Sequence, residues 1–276
     1  MDNYKQFQGF MATSSLWFND EIFGLKQFQI PEIPPVKEQF PDQIAGISTQ
    51  ILGKRIERFF SFIIQSTPSF RLVSENLQII KNKITIGELD FIIEDLTREK
   101  FIHLEVVYKF YVYDPSIENE IDKWIGPNRK DSLVEKLNKL KFRQLPLIFK
   151  DATIDKLRGL NLTPGELKQE VCFKATLFAP KDLLHSKFPI INNECIKGYW
   201  INVEEFLNPY YENASFFSPL KKDWPVNPQF NDDWIGFTSI KELIITMHSN
   251  KKSPLIWMRR DDLGKVEYER FFVVWW

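Results

Sequence analysis

The chain has 276 residues, with 36 basic and 37 acidic side chains and a net charge of −1, which excludes nucleic-acid binding through bulk positive charge. Hydrophobic residues make up 43% and aromatic ones 15%, enough for a sizeable core and against general disorder. Two cysteines, Cys172 and Cys195, and three scattered histidines, His103, His185 and His248, supply neither a disulfide framework nor zinc spacing.

The opening MDNYKQFQGF has no basic segment ahead of an apolar one, and no apolar run is long enough to span a bilayer. A cytoplasmic protein with no membrane partner is expected. Residues 1–45 read as an N-terminal arm that packs through Phe and Trp side chains. It ends in IPEIPPVKEQFPDQ, whose four prolines forbid a regular helix or central strand.

Residues 48–65 form the first predicted helix. Leu52, Ile56, Phe59, Phe60 and Ile63 recur on one face, and Ser48 or Thr49 is placed to cap its start. Glu57 projects at the edge of that stripe, either toward a site at the sheet edge or into salt-bridge range of Lys54 or Arg58.

Three strands follow: residues 70–80, with a turn or bulge at Glu75 and Asn76, then 84–94, then 101–113 after the polar loop 95–100. The short connections predict an antiparallel meander. A period of two puts Glu88 and Asp90 on one face of the second strand. It puts His103, Glu105, Val107 and Lys109 together on the third. Carboxylates at mid-strand are costly unless paired, protonated or bound to a metal. Two such strands side by side therefore point to a shared site, or else to strand ends and a solvated face. For a site, the chemistry is that of hard oxygen ligands for Mg²⁺, with Mn²⁺ second. Mg²⁺ takes one or two carboxylates and completes its shell with water and substrate phosphates. A nearby lysine would hold the phosphate or the attacking water.

Beyond the polar linker DPSIENEID, the WIGPN turn offers Asn128 as the cap of a helix with Asp131 in its first turn. The helix is expected to run to about Gln144, closed by Pro146. Leu133, Leu137 and Leu140 form its apolar side. Gln144 falls on that side and Lys136 and Arg129 lie at its edge, either bordering a phosphate or as ordinary helix-end polarity. Residues 123–150 hold eight basic residues against two acidic ones, a phosphate-neutralising patch or a solvated face.

EVCFKATLF, residues 170–178, fits a strand or a helix. Residues 181–276 read as a smaller aromatic-rich lobe with a strand at 198–203 and a proline-broken loop at 208–231. Ser239 and Glu242 form a capping box ahead of a helix at 240–247, and a hairpin pairs 255–259 with 266–275 around DDLG. The ending FFVVWW is either a packed strand or an interface. No glycine-rich phosphate loop, nucleophile elbow or repeat is present.

GELDFII, HLEVVYKFY, WIGPNRKDSLVEKL and RQLPL, taken together and in this order, resemble a bacterial family, domain of unknown function 1853, which is grouped with the PD-(D/E)XK nucleases. The resemblance implies an α/β protein with a restriction-endonuclease-like αβββαβ core over residues 46–180, a mixed central sheet flanked by helices. The arm 1–45 would precede this core and the lobe 181–276 would pack on it. It assigns Asp90 and Glu105 to the metal, with Glu57 completing the site or supporting it, and leaves Glu88 as a flanking residue without a fixed role. Gln144 resembles the helix glutamine of the exonuclease branch, although Ile148 stands where that branch has an aromatic residue.

A second departure is Val107, at the position where the family's pattern has its catalytic lysine. Lys109 lies two residues further on, with its Cα about 13 Å from that of Glu105. Either Lys109 reaches back along the strand or Lys136 supplies the charge from the helix. The implied activity is Mg²⁺-dependent endo- or exonuclease cleavage of DNA in preference to RNA, with a homodimer as a common arrangement for this fold. The alternatives are a catalytically inactive protein of the same fold that binds nucleic acid or a protein partner, and an interaction module docking through the aromatic lobe.

Overall fold

The computed structural model describes residues 3–18, 22–31, 51–262 and 264–276. Most of the proline-rich run and the caps expected at Ser48 and Thr49 lie outside these residues. The elements in order are α1 (Asn3–Ala12), α2 (Leu52–Gln65), β1 (Phe70–Lys81), β2 (Ile84–Asp95), β3 (Lys100–Tyr113) and β4 (Trp124–Ile125). They continue with α3 (Leu133–Lys139), α4 (Asp151–Arg158), β5 (Leu167–Pro180), β6 (Ile196–Ile201), α5 (Val203–Phe206), β7 (Ser215–Phe217), α6 (Phe237–Ser249), β8 (Leu255–Asp262) and β9 (Lys265–Val273).

The chain forms two compact units, and in each the strands of an open sheet are flanked by helices, a mixed α/β architecture. The first unit comprises residues 15–108 and 135–174. The second comprises 1–14, 109–134 and 175–276. Strands β3 and β5 each begin in the first unit and end in the second. No helix among the described residues is long and apolar enough to cross a membrane.

In the first unit the strand order is β1-β2-β3-β5, and β1, β2 and β3 form the expected antiparallel meander. The β1–β2 turn is made by Asn82 and Lys83, both at positive φ (51° and 64°), as a two-residue hairpin turn demands. The register of β1 slips between Leu72 and Ser74. Asn76, at φ 51°, sits between the pairs Glu75↔Phe91 and Leu77↔Leu89 and so lies across from Asp90. Helix α2 buries Leu52, Ile56, Phe59, Phe60 and Ile63, each contributing ~1.5–3 kcal/mol by leaving water. Its Phe60 ring lies 5.0 Å from that of Phe91 on β2.

The helical segment that covers β2 departs from expectation at both ends. It starts at Leu133 rather than at the Asn128 cap. Asn128 instead accepts from the Ser253 amide (2.7 Å), and Arg129 takes a left-handed φ of 54° that breaks a helix there. At its far end α3 passes into a π-helical turn, Leu140–Gln144, and then a 3₁₀ turn, Leu145–Phe149, with Pro146 in the first turn of the latter. Pro146, lacking an amide hydrogen, changes the helix type rather than ending the helical path. Gly87 on β2 lies beneath this segment, where a Cβ would fall 2.5 Å from Leu147 Cδ2 and push the leucine tip aside. Ile148 and Leu147 then join Ile79, Leu89, Ile92 and Leu157 of α4 in one buried cluster.

In the second unit the order is β5-β6-β9-β8-β7, with β4 paired to the end of β3. The β5–β6 and β6–β9 pairs are parallel and the rest antiparallel. Residues 170–178 are strand, and β5 is buried on both faces, which is why no period of two shows in its sequence. Helix α6 follows Gly236, so Ser239 and Glu242 lie inside it and form no capping box. The hairpin around DDLG is present as β8 and β9. Of FFVVWW, Phe271, Phe272 and Val273 end β9 and are fully buried, the packed-strand alternative. The segment packs on through Trp276, whose Nε1 donates to the Pro127 carbonyl at 3.1 Å.

Candidate active site

The β2–β3 ladder runs from Asp95↔Lys100 to Phe91↔Leu104. Asp90 and Glu105 are the next residue on each strand. There the main-chain pairing gives way to a side chain: the Val106 amide donates to Asp90 Oδ2 at 3.0 Å. Glu105 is wholly buried and held from two sides. Its Oε1 lies 3.2 Å from His103 Nε2, and its Oε2 accepts from Gln144 Nε2. Gln169 on β5 donates from Nε2 to the Leu145 carbonyl and lies 3.3 Å from His103 Nδ1. That contact makes Nδ1 the acceptor and Nε2–H the donor to Glu105. Burial pushes the imidazole pKa down to about 4, so His103 is a neutral donor.

Gln144 also accepts from Lys136 Nζ at 2.8 Å, which makes a chain Lys136–Gln144–Glu105. Burial, reinforced by the charge of Glu105, pushes Asp90 from an ordinary 3.8 to about 7, while the Val106 amide and Lys136 pull the other way. Glu105 is likewise raised by burial and held back chiefly by Lys136. Two neighbouring carboxyl groups, one buried and one half-buried, do not readily both ionise unless a cation joins them. Among the described residues no three His, Cys, Asp or Glu side chains are grouped to hold a metal.

A family model covers residues 31–274. The chain belongs to the family described as domain of unknown function DUF1853. No curated protein and no solved structure matches it.

The other residues singled out in this DUF1853 chain are placed as follows. Glu57 and Glu88 are drawn together by Lys54, whose Nζ lies 2.6 Å from Glu57, 3.0 Å from Glu88 and 3.0 Å from Asn76 Oδ1. The salt bridge from Glu57 to Lys54 is thus the one its helix spacing allowed. Burial raises the Glu57 pKa, and the charges of Asp90 and Glu88 raise it further, so it lies within the field of the acidic pair. Lys109 belongs to the second unit, where its Nζ pairs with Asp131 at 2.6 Å. Arg129 is in that unit too, bound to Asp114 and stacked 3.9 Å from the Trp276 ring. In the first unit Lys136 is the cation that acts on both Asp90 and Glu105.

Sequence reasoning missed three participants. Gln169 is not among the expected site residues, because it lies just ahead of the segment 170–178, whose pattern fits strand or helix, while β5 begins at Leu167. Lys54 was legible as a partner of Glu57, but its reach to Glu88 depends on the strand register. His103 was placed on the right face, but its bond to Glu105 was not foreseen. The π turn leaves a rim beside Gln144 in which Lys139, Lys141 and Arg143 are exposed and Phe142 is 67% exposed.

Proposed function

We propose that Asp90 and Glu105 hold a divalent cation, Mg²⁺ or Mn²⁺, and that this protein hydrolyses phosphodiester bonds in nucleic acid, DNA in preference to RNA. The observation that carries the reading is the pair of half-buried Asp90 and buried Glu105, raised in proton affinity and anchored by a main-chain amide, a neutral histidine and a glutamine. The donor set fits a hard cation that takes two carboxylates from the protein and its remaining oxygens from water and phosphate. Such a cation supplies an activated water and stabilises charge on the phosphoryl oxygens.

The chain's own residues do the rest. The Val106 amide fixes the rotamer of Asp90, and His103 and Gln144 fix that of Glu105. Lys136 brings positive charge to the same side and is suited to a phosphate oxygen. With the two-residue strand β4 and the helix α4 set aside as insertions, the order α2-β1-β2-β3-α3-β5 matches the PD-(D/E)XK core which the motifs resemble, and it supports the reading. In that comparison Val107, only 3% exposed, occupies the lysine's position, and Lys136 takes the lysine's part from the helix.

The pairing of Lys109 with Asp131 favours a second reading, a catalytically inactive protein of this fold that holds nucleic acid on the rim of Lys139, Lys141, Arg143 and Phe142. Labelled single- and double-stranded DNA and RNA, incubated with Mg²⁺ and with wild type or Asp90→Asn, separate the two. Metal-dependent cleavage that Asp90→Asn abolishes supports hydrolysis. Cleavage that survives in Asp90→Asn removes the assignment. Salt-sensitive binding without turnover selects the second reading.

A further inference from the structure

Lys54 is an exposed residue of α2, yet its ammonium is fully occupied. A lysine carries three N–H donors. Here they go to Glu57 Oε2 at 2.6 Å, Glu88 Oε1 at 3.0 Å and Asn76 Oδ1 at 3.0 Å. The acceptors come from three elements, α2, β2 and β1. Glu57 is reached by the ordinary spacing of one helical turn, and an exposed pair of that kind alone contributes only about 0.2–1 kcal/mol. Helix geometry does not supply the other two. Glu88 and Asn76 arrive from neighbouring strands, and Asn76 does so from a left-handed φ of 51° at the point across from Asp90.

An ammonium with every hydrogen committed takes no phosphate oxygen without giving up a partner, so its influence is through charge. Glu88 lies two residues from Asp90 on β2. The charges of Asp90 and Glu88 both raise the proton affinity of Glu57, and Lys54 opposes them. Half-buried Asp90 therefore shares its field with two more carboxylates besides Glu105. Lys136 answers Asp90 and Glu105 from the helical segment. Lys54 pairs with both Glu57 and Glu88 on the side of α2. Without it, two carboxylates would stand uncompensated beside the acidic pair and repel any polyanion.

We propose that Lys54 is a positioning residue for the nucleic-acid strand: by gathering Glu57, Glu88 and Asn76 onto one ammonium it cancels carboxylate charge beside Asp90 and lets a phosphate backbone approach. This rests on the reading that Asp90 and Glu105 act on nucleic acid. Lys54 works through its three neighbours and touches neither the phosphate nor the cation.

The test is fluorescence anisotropy of a short labelled DNA duplex with Ca²⁺ in place of Mg²⁺, so that binding is read apart from cleavage. Lys54→Met keeps the apolar stem and removes the charge. At low salt it is expected to weaken DNA binding about fivefold, the effect of one unit charge a few ångströms away in water. The loss is expected to shrink as salt rises, since the screening length falls from about 30 Å at 0.01 M to about 8 Å at 0.15 M. Lys54→Met/Glu57→Gln/Glu88→Gln is expected to recover at least wild-type affinity, because the opposing charges are then removed together. A lysine with a merely structural role would give neither the salt dependence nor the recovery. If Lys54→Met fails to fold, Glu57→Gln/Glu88→Gln is judged in its place: tighter DNA binding at low salt supports the proposal and unchanged binding overturns it. The proposal is also overturned if folded Lys54→Met binds DNA as wild type does, if its loss is independent of salt, or if the triple variant does not recover. Wild type that binds DNA but does not cleave it with Mg²⁺ removes the hydrolysis reading alone, and Lys54 is still judged by these affinities. Wild type that does not bind DNA overturns both.

Discussion

Gln144 and Glu105 are joined by a partly buried side-chain hydrogen bond, Nε2 to Oε2, that links the π-helical turn to the middle of β3. The same amide accepts a hydrogen bond from Lys136 Nζ through its oxygen, so one glutamine sets both the position of the carboxylate and that of the neighbouring cation. An α-helix continued at 100° per residue already puts Gln144 on the apolar side, and the π turn completes its approach.

Gln144→Ala removes a donor from a buried carboxylate and releases Lys136. Mg²⁺ affinity, measured calorimetrically with a short DNA duplex present, is expected to fall about 10–100-fold, the usual cost of losing a group that orients a metal ligand. Unchanged affinity would show that Glu105 is held by His103 alone.

The raised pKa of Asp90 fixes the sign of a pH effect in the metal-free protein. Its folded value of about 7 exceeds the ordinary 3.8, so the stability that accompanies its proton is complete below about pH 4 and is lost as pH rises through about 7. Buried His103, with its pKa depressed to about 4, acts in the opposite sense between about 4 and 6.5. The comparison that isolates the carboxylate is therefore urea unfolding of wild type against Asp90→Asn in EDTA. The variant should gain on wild type by on the order of a few kcal/mol between pH 4.5 and 7.5. A pH-independent difference would mean that Asp90 is charged throughout.

Gly87→Ala places a methyl against Leu147, a buried side chain of the 3₁₀ turn. The expected cost is about 1–3 kcal/mol, read as a lower urea midpoint. Because Leu147 lies on the segment that carries Gln144, Mg²⁺ affinity should fall in the same variant. A full loss of stability with intact affinity would separate the turn from the site.

The rim beside Gln144 makes a salt-dependent prediction. Lys141→Glu/Arg143→Glu should weaken DNA binding and make the slope of log K against log salt shallower by about 2. Phe142→Ala should cost about 1–3 kcal/mol on single strands and less on duplex, if the exposed ring stacks on a base. Equal losses on both would place Phe142 in a general contact.

Much of the first unit can be read from local pattern. The meander β1-β2-β3, the buried stripe of α2, the turn at residues 81–83 and the inward side of Leu133, Leu137, Leu140 and Gln144 all follow from periodicities of two and 3.6. Such patterns survive because the residues involved face one neighbour each. The late DDLG hairpin is legible for the same reason. The strand β5 is not, since burial on both faces erases the alternation that distinguishes strand from helix.

Tertiary structure alone decided the pairings. Asn128 has the composition of a helix cap, yet it holds Ser253, 125 residues away. Lys109 shares a strand face with Glu105, yet its charge is taken by Asp131 from a turn. Lys54 is placed by helix spacing beside Glu57, but only the register of β1 against β2 brings Asn76 and Glu88 to the same ammonium. The sequence by itself determined which residue types lie on which faces, because dihedral periodicity is local. Which charge meets which carboxylate was set by strand register and by the return of distant segments, where a long polar side chain takes whichever partner leaves the fewest buried groups unsatisfied.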